Sequence, residues 1–181
     1  VADIINGNLD SIIRGCIQKD QRAQEQLYKK YFGYALSVAL LYMNDRSFAI
    51  GIVNDSFMKV FAQIKKFDQK MSFKAWLRKI VINTSLDYLR RAVREPGFIE
   101  EESIPAAGTS ATTQDIMDEK DIKTLLGYLP HIYKTVFCLY EIEGFSHVEI
   151  AGNLGISESS SRVYLARAKK KLRELYLEYG Y

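Results

Sequence analysis

The sequence predicts an all-α protein: two small helical domains joined by a flexible acidic linker, the second domain holding a helix-turn-helix. Three observations predict it. Apolar residues recur at helical spacing nearly throughout, and no segment alternates apolar and polar residues over strand length. From about Pro96 to Thr113 the chain holds Pro, Gly, Ala, Ser, Thr and Glu with few large apolar groups, which is linker composition. Between Phe145 and Leu175 a short helix, a glycine turn and a capped second helix follow one another. The division is therefore a first domain over 1–95, a linker over 96–114 and a second domain over 115–181.

The elements follow in order. Leu9 to Ile17 reads as a short first helix. Asp20 can cap a second, with an apolar stripe of Leu27, Tyr31, Tyr34, Ala35, Val38, Leu41 and Tyr42. Asp45 opens a third, carrying Ile52, Val53, Phe57, Val60, Phe61 and Ile64. Ser72 opens a fourth, in which Phe73, Trp76, Leu77, Ile80, Val81, Leu86 and Leu89 are apolar, and Pro96-Gly97 stops it. Periodicity resumes at Ile116 and runs through Leu125, Leu126 and Leu129. Pro130 suits the first turn of another helix, with Val136, Phe137 and Tyr140 on its inner side.

Val148, Ile150 and Ala151 give the apolar side of the next, short helix. Gly155 can take the left-handed conformation past its end, and Ser157 can turn its hydroxyl to the unpaired amides of the helix that follows. In that last helix Ser159, Arg162, Val163, Ala166, Arg167 and Lys170 share one face, while Leu165, Ala168, Leu172 and Leu175 form the opposite, apolar one. No acidic residue stands between Arg162 and Arg173, whereas Arg162, Arg167, Lys169, Lys170, Lys171 and Arg173 are basic. Such a helix suits a DNA groove, although a charge run alone also fits a solvated, membrane-surface or partner-binding helix. The preceding helix, the glycine turn and the serine cap favour DNA. Glu158, in the first turn, reads as capping support, since it favours the helix dipole and would repel phosphate.

Composition bounds the rest. The chain has 181 residues, 48% of them apolar, which argues for folded domains with cores. The net charge of +3 is mild, but its distribution is not. Lys65, Lys66, Lys70, Lys74, Arg78, Lys79, Arg90, Arg91 and Arg94 stand against only Asp68 and Asp87. After Pro96 the sign reverses, with Glu100, Glu101, Glu102, Asp115, Asp118, Glu119 and Asp121 against Lys120. Two basic blocks about an acidic one suggest two DNA-facing modules and a spacer that avoids the same phosphates. Cys16 and Cys138 are isolated in apolar helical contexts and read as buried thiols in a reducing compartment. His131, His147 and the scattered acids form no catalytic or metal-binding grouping, so neither catalysis nor a cofactor nor a metal is expected. No run has transmembrane length and the N-terminus lacks a signal-peptide core, so a cytoplasmic protein without membrane insertion is expected.

In the fourth helix Asn83, Asp87 and Arg90 share a face, with Lys79 one turn earlier. Asn can offer paired donor and acceptor groups to a base, and Arg or Lys can grip phosphate or guanine. By spacing alone, a solvated Asn83–Asp87 pair satisfied by Arg90 or Arg91 is an equal alternative.

Taken together, these stretches resemble an extracytoplasmic-function (ECF) sigma factor, a promoter-specificity subunit of bacterial RNA polymerase, from about Gln24 to Leu175. Glu25-Gln26-Leu27-Tyr28 through Tyr31, Asp45-Arg46 and the run Val53 to Phe61 look like the polymerase-binding part of sigma region 2. Phe73-Lys74-Ala75-Trp76-Leu77, Ile80, Asn83 and Asp87 to Arg91 resemble its −10-reading part. Leu129-Pro130, Val136-Phe137, Gly144-Phe145-Ser146, Glu149-Ile150-Ala151, Leu154 to Ser157 and Arg167-Ala168 resemble sigma region 4.

The resemblance implies that Val53, Asp55, Phe57, Met58 and Phe61 meet core RNA polymerase. It implies that Lys74, Lys79, Asn83, Asp87, Arg90 and Arg91 serve the −10 element, Asp87 in a structural role, with the loop Phe67 to Met71 helping to hold an unstacked base. It places the last helix in the major groove of the −35 element. There Arg162 and Arg167 read bases, Val163 and Ala166 can pack on thymine methyls, and Ser159, Ser160, Lys169 and Lys170 position phosphates. His147 reads as a surface residue near phosphate. An anti-sigma factor is a further implied partner. The chain departs from the family's usual pattern at Ile50 and Gly51, where acidic residues are frequent, and at Ser161, where an apolar residue is usual; there a hydroxyl bonding back to a backbone carbonyl is expected. The competing reading is a stand-alone helix-turn-helix transcriptional regulator with a sensing or dimerising N-terminal domain. It accounts for Phe145 to Leu175 but not for the basic block around Trp76, Asn83 and Arg90.

Overall fold

The computed structural model describes residues 2–92 and 124–178; most of these residues are helical, and among them there is no strand. The acidic linker, the Pro96-Gly97 stop and the expected restart at Ile116 lie outside those residues. The chain divides into two compact units, Val1–Ser85 and Leu86–Tyr181, so the division falls within a continuous helix.

In the first unit α1 spans Ala2–Ile17, α2 Gln21–Ala39 and α3 Arg46–Gln63, with a single tight turn at Ile64–Lys66; α4, Phe73–Ala92, begins in this unit and its last turns belong to the second. The first helix starts well before the expected Leu9, since the intervening sequence has no proline and Gly7 only weakens a helix. Lys19, left-handed at φ 63°, turns the chain from α1 into α2. Asp20 caps α2 as expected, accepting from the amides of Arg22 and Ala23 at 3.2 Å each. Asp45 caps α3 in the same way, accepting from Ser47 at 2.7 Å and Phe48 at 3.0 Å. The crossing of α1 and α2 depends on Gly15: a Cβ there would stand 2.6 Å from that of Ala23.

The core of this unit gathers Ile13, Leu27, Ala35, Tyr42, Val53, Phe57, Val60, Leu77 and Val81. Burying these side chains, at about 25 cal/mol per Å² of apolar surface, drives the bundle together. Tyr31, Tyr34 and Leu41, expected in the apolar stripe of α2, are only half-buried, and Leu36 and Ala39 go deeper. The buried hydroxyls of Ser56, Thr84 and Ser85 donate to the carbonyls of Ile52, Ile80 and Val81 one turn back, which removes the penalty of an unpaired polar group. Gly51 lies on the exposed side of an unbroken α3, with nothing within 4 Å of where a Cβ would stand.

In the second unit the described part of α5 is 124–127; α6 spans His131–Phe137, α7 His147–Leu154 and α8 Glu158–Glu178. Pro130 stands at the N-cap of α6 rather than inside its first turn. Leu126, Leu129, Val136, Leu139, Ile150, Leu154 and Ala168 build the core, with α8 packed on both α6 and α7. Between α6 and α7 the helix widens over Cys138–Ile142, where the Glu143 amide donates five residues back to the Cys138 carbonyl at 3.1 Å. The wide turn shifts the register, so Cys138 and Leu139 are buried while Tyr140, expected inside, is 37% exposed. Val148, also expected on an apolar side, is 65% exposed, and Ile150 and Leu154 carry the packing of α7.

Candidate nucleic-acid interface

The turn between α7 and α8 is built from three local devices. Gly155 takes φ 70° and donates its amide to the Ala151 carbonyl, closing α7 in the conformation that glycine adopts without strain. Ser157 then accepts from the Ser160 amide at 3.0 Å, and its hydroxyl also meets those of Ser159 and Ser160 at 2.8 and 2.7 Å. At the other end of α7, Ser146 and Glu149 form a reciprocal capping box, for which the Ser-x-x-Glu spacing is the signal in the sequence. The Ser146 amide donates to Glu149 at 2.8 Å and the Ser146 hydroxyl does so at 2.7 Å.

Those two bonds, the backbone one first, hold the Glu149 carboxyl below its usual range. A carboxyl lowered in the folded state stabilises the fold above its unfolded value and loses that contribution as pH falls through the lowered one. Unfolding of the parent chain should therefore show an acid-side loss of stability that is smaller in Glu149→Gln by the part this carboxyl contributes. Matched denaturant titrations at pH 6 and at pH 3 to 4 measure it, and equal pH profiles would contradict it.

The face of α8 opposite the core is fully outward. Ser159, Arg162, Val163, Ala166, Arg167, Lys169 and Lys170 are exposed and Ser160 is half-buried, whereas Ser161, Leu165, Ala168 and Leu175 are buried. Four of the basic groups on this helix are tethered. Arg162 pairs with Glu158 one turn back, Arg167 Nη1 donates to the Tyr133 hydroxyl at 3.0 Å, and Lys169 meets Glu141 at 2.6 Å. Lys170 stands 3.9 Å from Glu174. Glu158 therefore does more than support the helix start: it engages one of the expected base readers.

Ser161 does not bond back along its own helix. It shares a 2.9 Å hydrogen bond with Nδ1 of His147, whose ring stacks on Tyr140 with centroids 4.6 Å apart. His147, read from sequence as a surface group near phosphate, is thus a half-buried link between the two helices of the motif. The fully buried Ser161 is satisfied by it where an apolar residue would otherwise pack.

On α4, Lys74, Lys79, Asn83 and Arg91 are exposed, and Asp87 and Arg90 are half-buried. The Lys74 ammonium sits over the Tyr34 ring, 4.4 Å from its centroid, an attraction that holds it beside α2. Trp76, one of the apolar residues of the expected fourth helix, is half-buried, on a cluster of rings. Phe67 lies 5.0 Å and Phe73 5.8 Å from it, and Tyr31 lies 4.8 Å from Phe73. The loop from Phe67 to Met71 thus ends in an aromatic surface, with Met71 58% exposed, beside Lys65, Lys66 and Lys70. Spacing in the sequence carries no sign of this cluster, because its rings come from α2, the loop and α4.

On α3 the expected polymerase contacts separate. Val53 and Phe57 are core residues, 0% and 2% exposed, and offer a partner no side-chain surface. Their helical phase turns them toward α2, where Phe57 lies edge-on to Tyr28 at 4.8 Å. Asp55 and Met58 are exposed and Phe61 is half-buried. Tyr28 and Asn54, bonded at 2.9 Å, extend the same outer side.

Among the described residues, no helix is long and apolar enough to cross a membrane, and no three of His, Cys, Asp and Glu gather as metal ligands. Residues 27–95 match the sigma-70 region 2 family and residues 119–172 the sigma-70 region 4 family. Both hallmark regions of a sigma factor are therefore present, in that order. The chain is 24% identical over 155 residues to the ECF RNA polymerase sigma factor SigM of Bacillus subtilis, covering 84% of this chain and 94% of that one. To the RNA polymerase sigma factor SigV of the same organism it is 27% identical over 136 residues, covering 75% and 80%. A solved complex of the sigma factor RpoE with the anti-sigma factor NepR from Bartonella quintana gives a TM-score of 0.48 at 22% identity, over 83% of this chain and 94% of that one. The chain belongs to the ECF sigma factors, the alternative sigma factors that confer promoter specificity on RNA polymerase.

Proposed function

We propose that the two units divide promoter recognition between them. The first docks on core RNA polymerase through the outer side of α3, with Asp55, Met58 and Phe61, and serves the −10 element with α4. The second lays α8 in the major groove of the −35 duplex. One observation carries this reading: Ser159, Arg162, Val163, Ala166, Arg167 and Lys170 all stand exposed on one face of a helix whose other face is buried. Phosphate contacts from Lys169, Lys170 and the serine hydroxyls would fix its register, and the two arginines would read base edges.

On α4, Lys79 and Asn83 face outward one turn apart, and the rings of Trp76 and Phe67 offer a stacking surface. Opening a duplex costs a few kcal/mol per extruded base, which stacking on such rings, about 1–3 kcal/mol per base, can offset. The protein thus works by binding, without catalysis, in the cytoplasm where its polymerase acts. Its partners are core RNA polymerase, promoter DNA and an anti-sigma factor. A stand-alone regulator would leave the region 2 match over 27–95 without a role.

A fluorescent base analogue in the −10 element tests the division of labour. Polymerase carrying the parent chain should open that element. Asn83→Ala, an exposed change expected to leave the fold intact, should slow opening about tenfold while leaving −35 binding unchanged. Equal opening rates would remove Asn83 from the −10 site.

A further inference from the structure

Within the reading of α8 as the helix that enters the groove, we infer that Tyr133 is a positioning residue for Arg167, and so a determinant of sequence specificity that does not itself lie on α8. The two residues are 34 apart in sequence, and the bond between them, from Arg167 Nη1 to the Tyr133 hydroxyl, is 3.0 Å. Tyr133 is fixed from two sides. It stands on α6 immediately before Lys134, Thr135 and Val136, all buried, and its ring lies 5.6 Å from that of Tyr164 on α8, tilted by 34°. Arg167 is flanked on α8 by Ala168, which is fully buried. Both backbones are therefore held by the core, and the phenol oxygen is a fixed point beside the exposed face.

An arginine side chain has large rotamer freedom, which a base contact must quench. A guanidinium carries five N–H donors in a rigid fork, so the bond from Nη1 to a phenol oxygen fixes the plane of the group while engaging only one of those donors. The Tyr133 hydroxyl is neutral. It orients the cation without competing with phosphate for its charge, unlike Glu158 beside Arg162. Removing that hydroxyl should loosen the aim of Arg167 and leave the attraction of α8 for DNA as it is.

The test uses the full chain with core polymerase and a set of promoters in which each −35 base pair is substituted in turn, comparing the parent, Tyr133→Phe, Arg167→Ala and the double variant. Phenylalanine keeps the ring against Tyr164 and removes only the oxygen. The base pair read by Arg167 is the one at which Arg167→Ala loses discrimination. There Tyr133→Phe should lose about three- to tenfold of the parent's discrimination. Its thermal midpoint and the salt dependence of binding should stay those of the parent, and it should add nothing to Arg167→Ala. Parent-like discrimination by Tyr133→Phe beside a defective Arg167→Ala, or effects that multiply in the double variant, would overturn the positioning role alone. A parent indifferent to every −35 substitution would overturn the groove reading of α8 as well.

Discussion

Phe57→Ala is expected to lower the stability of the first unit by about 3–5 kcal/mol, as for other buried aromatic truncations. Met58→Ala, one residue on, should leave it within about 0.5 kcal/mol. The contrast follows from burial. Phe57 is 2% exposed, with its ring 4.8 Å from Tyr28 and 5.9 Å from Phe61, whereas Met58 is 69% exposed. Small domains are stable by only about 5–15 kcal/mol, so the first change removes a large share of the total. Binding should order the two differently. Met58→Ala should weaken the complex with core polymerase about tenfold through a lost interface contact. Phe57→Ala should weaken it only as far as it unfolds the domain. Urea unfolding and titration of labelled core polymerase at low temperature separate these effects. A stable Phe57→Ala protein, or a Met58→Ala protein that binds like the parent, would redraw the interface on α3.

The second large effect lies on α8. Arg162→Ala should cost about 1–3 kcal/mol at a single −35 base pair, roughly 5- to 150-fold in discrimination. Arg162 is paired with Glu158 before DNA arrives, but that pair is half-exposed, and exposed i,i+4 pairs are worth only about 0.3–0.5 kcal/mol. It holds the guanidinium near the start of the helix and yields readily to a base. Lys170→Ala should behave otherwise. It should weaken all sequences alike and lower the salt slope by about one counterion. Competition binding across salt concentrations distinguishes a reader from a phosphate contact, and a uniform loss in Arg162→Ala would demote it to the latter.

Much of this was legible because the signals are local. Asp20 and Asp45 as caps, Gly155 past the end of α7 and Ser157 before α8 each depend on a few adjacent residues, and each is where the pattern put it. The exposed face of α8 was legible for the same reason, since the i, i+3, i+4 rule needs only helical geometry. What escaped depends on contacts distant in sequence or on a break in periodicity. The wide turn at Cys138–Ile142 changes the helical register, so regular helical spacing puts Tyr140 inside while the structure turns it outward. Val53 and Phe57 belong to motifs of the polymerase-binding region, yet resemblance does not say which members of a motif face a partner and which hold the helix in place. The His147–Ser161 and Tyr133–Arg167 bonds join different helices, and no spacing rule brings such pairs together.

The central claim is that this chain gives core RNA polymerase its promoter. The most direct test is to map the 5′ ends of transcripts made by core polymerase from the source organism, with and without the purified chain, on that organism's DNA. The account predicts new start sites that depend on the chain and share a two-part upstream sequence, with Arg162→Ala and Asn83→Ala altering the −35 and −10 parts respectively. Start sites unchanged by the chain, alongside tight binding of the chain alone to a duplex, would contradict it.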